Sequence, residues 1–234
     1  MKEYYENRAK TYLPRRIPVI MRIDGKVFHT FTRSMKKPFD ERLVTAMQKT
    51  ANFLCENVQG CKMAYIQSDE ISLLVTDYDD IKTDAWFGYE VQKMASVSAS
   101  LATGQFNDMI YTANRAYFDS RVFSIPKEDV CNYFLWRQQD AIRNSIQSVA
   151  HAHFSHKELI GKKTNNLIQM LEDSGVYWKN LPTHLKRGSC VRKKTEEYNN
   201  AETSYIRKFW IIDTEVPLFN ENRDYIEKLV YLYP

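Results

Sequence analysis

The stretch IPVIMRIDG at residues 17–25 determines how the fold begins. Its β-branched and apolar residues predict a buried strand, and this strand ends at Asp24–Gly25. Further along the chain, MAYI at 63–66 and ISLLV at 71–75 predict two more strands. Only QSDE at 67–70 separates these two strands, so the sequence predicts a tight hairpin with an acidic tip.

Helical segments alternate with these strands. Residues 40–58 place apolar side chains on one helical face, and residues 89–110 form a long segment rich in Ala, Ser and Met. Another strand is predicted over 115–125, and a short helix over 2–13. The resulting β-α-β-β-α-β order is that of a ferredoxin-like sheet, so we expect an α+β core over residues 1–125.

The remaining residues, 126–234, predict an α-rich region packed on that core. A long helical pattern covers 126–154, and shorter helices are predicted over 156–160 and 164–173. A basic segment with strand-forming residues runs from 188 to 212. No repeat or clear linker interrupts the chain, so we expect one compact unit.

Composition excludes several classes of protein. The 234 residues are 44% hydrophobic and 26% charged, with 12 Phe, 15 Tyr and 4 Trp, which excludes a disordered chain. No apolar run approaches the ~18 residues of a membrane span, and the charged N-terminus is unlike a signal peptide. Because Cys55, Cys61, Cys131 and Cys190 form no metal-binding pattern, we expect free thiols and a cytoplasmic location.

The acidic residues at the strand ends suggest a metal site. Asp24 ends the first strand, and Asp69–Glu70 lies at the hairpin tip. The first and third strands of a ferredoxin-like sheet are neighbours, so these carboxylates can face each other and bridge two Mg²⁺ ions. Gly25 would allow a close backbone approach to an ion or a triphosphate. The alternative interpretation is that Asp24–Gly25 and Ser68–Asp69 are ordinary turn residues.

Five linked motifs follow one another along the chain: RIDGKVFHTF (22–31), KPFD (37–40), QSDEIS (67–72), FDSRV (118–122) and YFLWRQQD (133–140). In sequence and in order they resemble the motifs of the tRNA-His guanylyltransferase family, and the resemblance covers roughly residues 5–195. The resemblance implies a polymerase-like palm that adds nucleotides to the 5′ end of tRNA in the 3′-to-5′ direction. It also implies two Mg²⁺ ions, ATP to activate a 5′-monophosphate, GTP or other nucleoside triphosphates as substrates, and a homotetramer built as a dimer of dimers.

The resemblance also assigns roles to individual residues. It implies that Asp24 and Asp69 are the catalytic, metal-binding carboxylates and that the Gly25 carbonyl is a further metal ligand. The nucleotide-binding residues that it implies are Asp24, Gly25, Lys26, Val27, Phe28, His29, Lys37, Ser68, Asp69 and Lys93. The alternatives are that Lys37 and Lys93 are solvated surface lysines, that His29 is structural, and that Glu70 only flanks the turn.

One block departs from the family pattern. Eukaryotic members that add an extra G to tRNA-His carry HINNLYN, whereas this chain has IRNSIQS at 142–148, with only Asn144 in register. The departure resembles the bacterial and archaeal "-like" branch, whose members resemble template-directed polymerases that repair truncated tRNA 5′ ends. We therefore predict 5′-end repair, with tRNA-His guanylyltransferase proper as an alternative and a palm-domain nucleotide cyclase or a non-enzymatic RNA-binding module as weaker ones.

Basic residues outside these motifs are candidates for RNA contact, because phosphate contacts give sequence-independent affinity. The candidates are Arg143, Lys186, Arg187, Arg192, Lys193 and Lys194. The alternative for each cluster is a solvated face, and the net charge of +4 is only a mild excess. Tyr177 and Trp178 could stack on bases, although core packing is the favoured interpretation for both.

Overall fold

A single antiparallel sheet forms the centre of the protein. The structure is a computed structural model and describes residues 1–112, 114–199 and 204–231. Within these residues the sheet has six strands in the order β4-β1-β3-β2-β5-β6. The strands are β1 (Val19–Gly25), β2 (Cys61–Gln67), β3 (Glu70–Val75), β4 (Phe118–Ser124), β5 (Ser189–Asn199) and β6 (Ser204–Asp213).

Helices cover both faces of this sheet. They are α1 (Phe28–Phe31), α2 (Glu41–Asn57), α3 (Val91–Met109), α4 (Lys127–His153), α5 (His156–Leu159), α6 (Thr164–Asp173), α7 (Thr183–Arg187) and α8 (Asp224–Glu227). Short 3₁₀ turns lie at Trp86–Tyr89 and Trp178–Asn180. None of the helices in the described part of the chain is long and apolar enough to cross a bilayer.

The alternation of side chains along β1 divides the core into two layers. Met21 and Ile23 pack with Met47 of α2 and Phe106 of α3 on one face. Ile20 faces the other side and belongs to a second cluster with residues of α4 and α8. Because β1 is covered on both faces, its sequence is a nearly continuous apolar run, which is why the strand could be recognised from the sequence.

The predicted α+β fold is confirmed, with the β-α-β-β-α-β order in the first half of the chain. The helix predicted over 40–58 spans Glu41–Asn57, and the Asp40 side chain caps it by accepting a hydrogen bond from the Arg42 amide. The helices predicted over 89–110 and 126–154 end within two residues of the observed bounds.

The predicted N-terminal helix over 2–13 is wrong in extent. Only a π-helical turn at Lys2–Glu6 and a 3₁₀ turn at Asn7–Ala9 form. Beyond them the chain is extended, because the Leu13 amide donates to the Tyr89 carbonyl and the Thr11 carbonyl accepts from the Val91 amide. These bonds join the N-terminal segment to the start of α3, which no local sequence pattern reveals.

The strand-forming segment predicted over 188–212 becomes β5 and β6, although residues 200–203 lie outside the described residues. β5 pairs with β2, with Tyr65 opposite Cys190. The C-terminal part therefore packs helices on the core and also extends the same sheet. We retain 1–125 and 126–234 as a proposed division within one compact unit.

Candidate active site

A row of three carboxylates lies at one end of the sheet. Asp24 at the end of β1 is opposite Glu70 on β3 and opposite Asp119 on β4. Directly opposed residues of an antiparallel sheet point to the same face, so the three side chains lie side by side. Asp24 Oδ2 lies 3.2 Å from Arg22 Nε and 3.3 Å from Arg121 Nη1, and these cations offset part of the local negative charge.

Asp69 lies beside this row at the tip of the β2–β3 hairpin. The tip turns sharply because Ser68 adopts a positive φ of 49°. The Gly25 amide donates to the Asp69 carbonyl over 3.1 Å, which fixes the end of β1 against the hairpin tip. Burial raises the pKa of Asp69, and the charge of nearby Asp24 raises it further. The arrangement therefore places two mutually repelling carboxylates together.

The donor set at this position fits Mg²⁺. Asp24 and Asp69 would supply carboxylate oxygens, and Gly25, which follows Asp24 and whose amide bonds the Asp69 carbonyl, would supply a backbone carbonyl. Within the described residues no group of three or more His, Cys, Asp or Glu side chains is arranged to hold a metal ion. Mg²⁺ commonly uses only one or two carboxylates and completes its shell with water and substrate phosphates, so two carboxylates are sufficient.

Asp69 is expected to make the fold less stable at neutral pH. Its pKa in the folded state is raised by burial and by Asp24, so stability is highest below the unfolded-state pKa and falls as pH rises through the folded-state pKa. Replacing Asp69 by Asn should therefore raise the melting temperature at pH 7. The gain should shrink as pH falls, because the wild-type carboxyl takes up its proton at a higher pH in the folded state than in the unfolded state. Thermal unfolding of both proteins from pH 7 downwards tests the prediction, and an unchanged or lower melting temperature at pH 7 contradicts it.

A cavity of about 530 Å³ opens beside the carboxylates, and it is large enough for a nucleotide. Its walls come from the segment after β1, the β2–β3 hairpin, the start of α2, and residues of α4 and α7. The residues predicted to bind nucleotide that line it are Gly25, Val27, Phe28, His29, Lys37, Ser68 and Asp69. The structure thus brings most of the predicted residues to one cavity, with Asp24 adjacent to Gly25 in the sequence.

The segment between β1 and α1 is held in a tight conformation at the cavity wall. Val27 adopts φ 54°, which is strained for a β-branched residue. A Cβ atom on Gly25 would lie 2.2 Å from Cδ2 of Phe28, whose ring is buried against Phe106 and Phe118. Only glycine therefore allows the chain to turn here without moving the aromatic cluster.

Two of the predicted nucleotide-binding lysines lie elsewhere. Lys93 is on α3, and its Nζ lies 4.8 Å from the centre of the Phe87 ring. The Lys26 amide donates to the Tyr117 carbonyl over 2.8 Å, but the Lys26 side chain does not line the cavity. Lys37 does line it, and its Nζ donates to the Thr32 carbonyl over 3.3 Å while remaining exposed.

All six basic residues proposed for RNA contact already have partners within the chain. Arg192 Nε bonds Asp213 over 2.9 Å, Arg187 Nε bonds the Val216 carbonyl over 2.9 Å, and Lys186 Nζ bonds the Lys179 carbonyl over 2.6 Å. The other three are also partnered, with Arg143 on Asp140, Lys194 on Glu196, and Lys193 over the Trp210 ring.

The two aromatic residues that could stack on bases differ in their surroundings. Trp178 packs against the cluster between α4 and α6, and its Nε1 donates to Ser145 Oγ over 3.0 Å. Tyr177 is exposed. The expectation of core packing is therefore confirmed for Trp178 and is wrong for Tyr177.

Sequence reasoning missed the far wall of the cavity. This wall consists of Gln67, Ala141, Ser145, Ser148, His184, Leu185, Gly188 and Ser189. Asn144 also lines it and was noted only as a surviving motif residue. The i, i+4 spacing of Asn144 and Ser148 could have indicated one helical face, but no signal in the sequence places α7 against α4.

Gly188, in the far wall of the cavity, is expected not to tolerate a side chain. Its φ is 80°, and an added Cβ would lie 2.5 Å from the Ile66 carbonyl oxygen and 2.7 Å from Tyr65 Oη. We expect Gly188→Ala to lower the free energy of unfolding by about 1–3 kcal/mol. Urea unfolding measures this loss. Gly161→Ala serves as control, because Gly161 has a positive φ but nothing within 4 Å of its added Cβ, and an equal loss in both variants would contradict the steric argument.

Residues 1–126, which are more than half of the chain, match the family model of tRNAHis guanylyltransferase. The chain belongs to this family. The assignment made from the sequence motifs is therefore confirmed, and tRNAHis guanylyltransferases are nucleotidyltransferases.

Solved structures of this family resemble the chain over nearly its whole length. A bacterial tRNA(His) guanylyltransferase-like protein in complex with ATP is 42% identical, with a TM-score of 0.90 over 98% of this chain and 97% of that one. The structure of a bacterial protein of the same description in complex with GTP gives 42% identity and a TM-score of 0.87. A probable tRNA(His) guanylyltransferase of Dictyostelium discoideum is 27% identical, over 79% of this chain and 78% of its own length.

Proposed function

We propose that this chain is a template-dependent 3′-to-5′ nucleotidyltransferase that repairs the 5′ end of tRNA. The observation that carries the proposal is the cavity beside Asp24 and Asp69, where the Gly25–His29 segment, Ser68 and Lys37 converge. Family membership and the similarity to bacterial proteins that bind ATP and GTP support the same conclusion. We propose ATP, GTP and other nucleoside triphosphates as substrates, together with tRNA.

The residues around the cavity suit a two-step reaction at phosphorus. In the first step a 5′-monophosphate oxygen of the RNA attacks the α-phosphorus of ATP, and pyrophosphate leaves. In the second, the 3′-hydroxyl of the incoming nucleotide attacks the activated 5′ phosphate, and AMP leaves. The Gly25–His29 backbone and Ser68 orient the triphosphate, and the Lys37 cation offsets its charge. When bound by Asp24, Asp69 and the Gly25 carbonyl, two Mg²⁺ ions would stabilise the attacking and leaving oxygens.

The departure from the HINNLYN block supports templated addition over the addition of G to tRNA-His alone. Asn144, Ser145 and Ser148 of this block line the cavity, so a change of sequence here changes the wall that surrounds the substrate. We propose that pairing with the opposite acceptor strand selects the incoming base. The homotetramer and the cytoplasmic location implied by the family resemblance are retained as proposals.

A truncated tRNA provides the decisive test. A tRNA that lacks its 5′-terminal nucleotide and bears a 5′-monophosphate is incubated with the protein, Mg²⁺, ATP and each nucleoside triphosphate in turn. We expect addition only of the base complementary to the opposite strand. Addition of G to tRNA-His regardless of the opposing base would favour the guanylyltransferase activity proper. If no nucleotide is added to any RNA, the remaining candidates are the nucleotide cyclase and the RNA-binding module. Formation of a cyclic nucleotide in the absence of RNA would then identify the cyclase.

Lys37 is expected to act mainly in the activation step, because its charge lies at the cavity where ATP is proposed to bind. Lys37→Ala should reduce addition to a 5′-monophosphate end by about 10²-fold and addition to a 5′-triphosphate end by less than about 10-fold. Single-turnover assays on both RNAs measure the difference. Lys157→Ala, at an exposed position on α5, is the control. Equal losses on the two RNAs would contradict a specific activation role.

A further inference from the structure

Gln67, the last residue of β2, has an unsatisfied side chain in the cavity wall. The residue is only 5% exposed, and its Oε1 has no hydrogen-bond partner among the described residues. It pairs across the hairpin with Glu70, so its side chain lies on the sheet face that α4 covers. A buried amide oxygen without a donor costs about 1–3 kcal/mol, so its presence at a cavity needs an explanation.

Glu70, which pairs with Gln67 across the hairpin, and Ser145, which lines the same cavity, already have hydrogen-bond partners. Glu70 accepts two bonds from Arg137, over 2.8 and 2.6 Å, and a third from Ser72 Oγ. Ser145 Oγ donates to the Leu185 carbonyl over 2.7 Å and accepts from Trp178 Nε1. Oε1 itself is buried, but Gln67 lines the cavity, so rotation of the amide would bring this unpartnered oxygen to a group that enters the cavity.

His184 on the same wall is also free of side-chain hydrogen bonds within the described part of the chain, and it lines the cavity with Gln67. Burial lowers the pKa of His184, so the imidazole is neutral at physiological pH and carries one donor and one acceptor nitrogen. The cavity therefore has a cationic end at Lys37 and an uncharged polar wall at Gln67 and His184.

We propose that Gln67 and His184 hydrogen-bond the nucleoside part of the bound nucleoside triphosphate and determine its specificity. A free acceptor such as Gln67 Oε1 needs a donor, and an ionised phosphate has only acceptors. The donors of a nucleoside triphosphate are the ribose hydroxyls and the N–H groups of the base, which in ATP are those of the amino group. The inference rests on the proposed function, because it takes the cavity to be the nucleotide site.

The test combines Gln67→Leu with nucleotide analogues in equilibrium binding to the full chain without RNA. The probes are ATP, 2′-deoxyATP, 3′-deoxyATP and purine riboside triphosphate, which lacks the amino group. Wild-type protein should bind ATP about 5- to 30-fold more tightly than the one analogue that lacks the contacted donor. Gln67→Leu should bind ATP more weakly by the same factor and lose that discrimination. The identity of the discriminated analogue tells whether the ribose or the base makes the contact.

Two controls make the outcome decisive. Gln59→Leu is a matched change outside the cavity, where the Gln59 side chain bonds the Asp84 carbonyl at the surface, and it should leave ATP affinity unchanged. Gln67→Leu should be at least as thermally stable as wild type, since it removes an unsatisfied buried oxygen. Unchanged ATP affinity in Gln67→Leu, or a uniform loss across ATP and all analogues, would overturn the inference alone. A wild-type protein that binds neither ATP nor GTP would overturn the proposed function as well.

His184→Phe tests the second residue. This change keeps an aromatic ring in the wall and removes both nitrogen atoms. We expect ATP affinity to fall by about 3- to 10-fold, with the loss again confined to nucleotides that carry the contacted group. Retained affinity and retained discrimination would remove His184 from the proposal and leave Gln67 as the determinant.

Discussion

Replacing Asp24 or Asp69 by alanine is expected to reduce nucleotide addition by about 10³-fold or more, whichever RNA end is supplied. Asp24 ends the central strand β1, and Asp69 lies beside it at the hairpin tip. Both proposed steps create negative charge on oxygens at phosphorus, and both need the cations that these carboxylates would hold. A loss in only one step would be inconsistent with a shared metal site.

The measurement is single-turnover addition to truncated tRNA with a 5′-monophosphate and with a 5′-triphosphate. Asp173→Ala is the matched control, because Asp173 is an exposed carboxylate at the end of α6 whose one hydrogen bond among the described residues is to Gln169. Circular dichroism should show the wild-type fold in each variant. The affinity for RNA should be largely unchanged, since neither carboxylate is proposed to bind the RNA backbone. Activity retained in Asp69→Ala would remove that residue from the catalytic assignment.

The strands and long helices could be predicted from the sequence because their own side chains carry the pattern. β1 is apolar on both faces, and the α2 segment repeats apolar residues at helical spacing. The N-terminal segment carries no such pattern of apolar side chains. Its shape depends on backbone bonds between Thr11, Leu13 and the start of α3, which lies about 80 residues away in the sequence.

The two walls of the cavity differ in the same respect, because one could be predicted from the sequence and the other could not. The near wall consists of contiguous motifs around Asp24 and Asp69, so a linear sequence was enough to find it. The far wall forms only when α4 and α7 pack against β2, and residues such as His184 and Leu185 belong to no motif and have no distinctive spacing. The ion pair of Glu70 with Arg137 could not be predicted from the sequence, because the two residues lie 67 positions apart.

Arg137→Met is expected to lower the free energy of unfolding by about 3–5 kcal/mol, because it breaks a buried ion pair. Arg137 and Glu70 side chains are only 7% and 9% exposed. Arg137 also bonds Asp140 over 2.9 Å, so a single guanidinium holds α4 to β3. The substitution would leave Glu70 buried without its cation. Urea unfolding at pH 7 measures the loss, with Arg223→Met as control because its pair with Glu227 is more exposed and worth about 1 kcal/mol or less.

The pH dependence of this loss distinguishes an unpaired charge from a simple packing defect. Burial raises the pKa of Glu70 even with Arg137 present, and removing Arg137 takes away the main opposing influence. A raised folded-state pKa gives stability that is present at low pH and lost as pH rises. The deficit of Arg137→Met should therefore shrink between pH 7.5 and pH 5. A constant deficit would indicate lost packing instead.

The double variant Glu70→Gln/Arg137→Met separates stability from positioning. With no charge left buried at the pair, most of the lost stability should return, since neutral replacements of buried ion pairs are often tolerated. Glu70 is the register partner of Asp24, and its ion pair with Arg137 holds the strand end beside the carboxylates that we propose to be catalytic. We therefore expect the double variant to recover stability and still add nucleotides about 10-fold more slowly, with the loss in kcat and not in KM. Full recovery of kcat would show that the ion pair serves the fold alone.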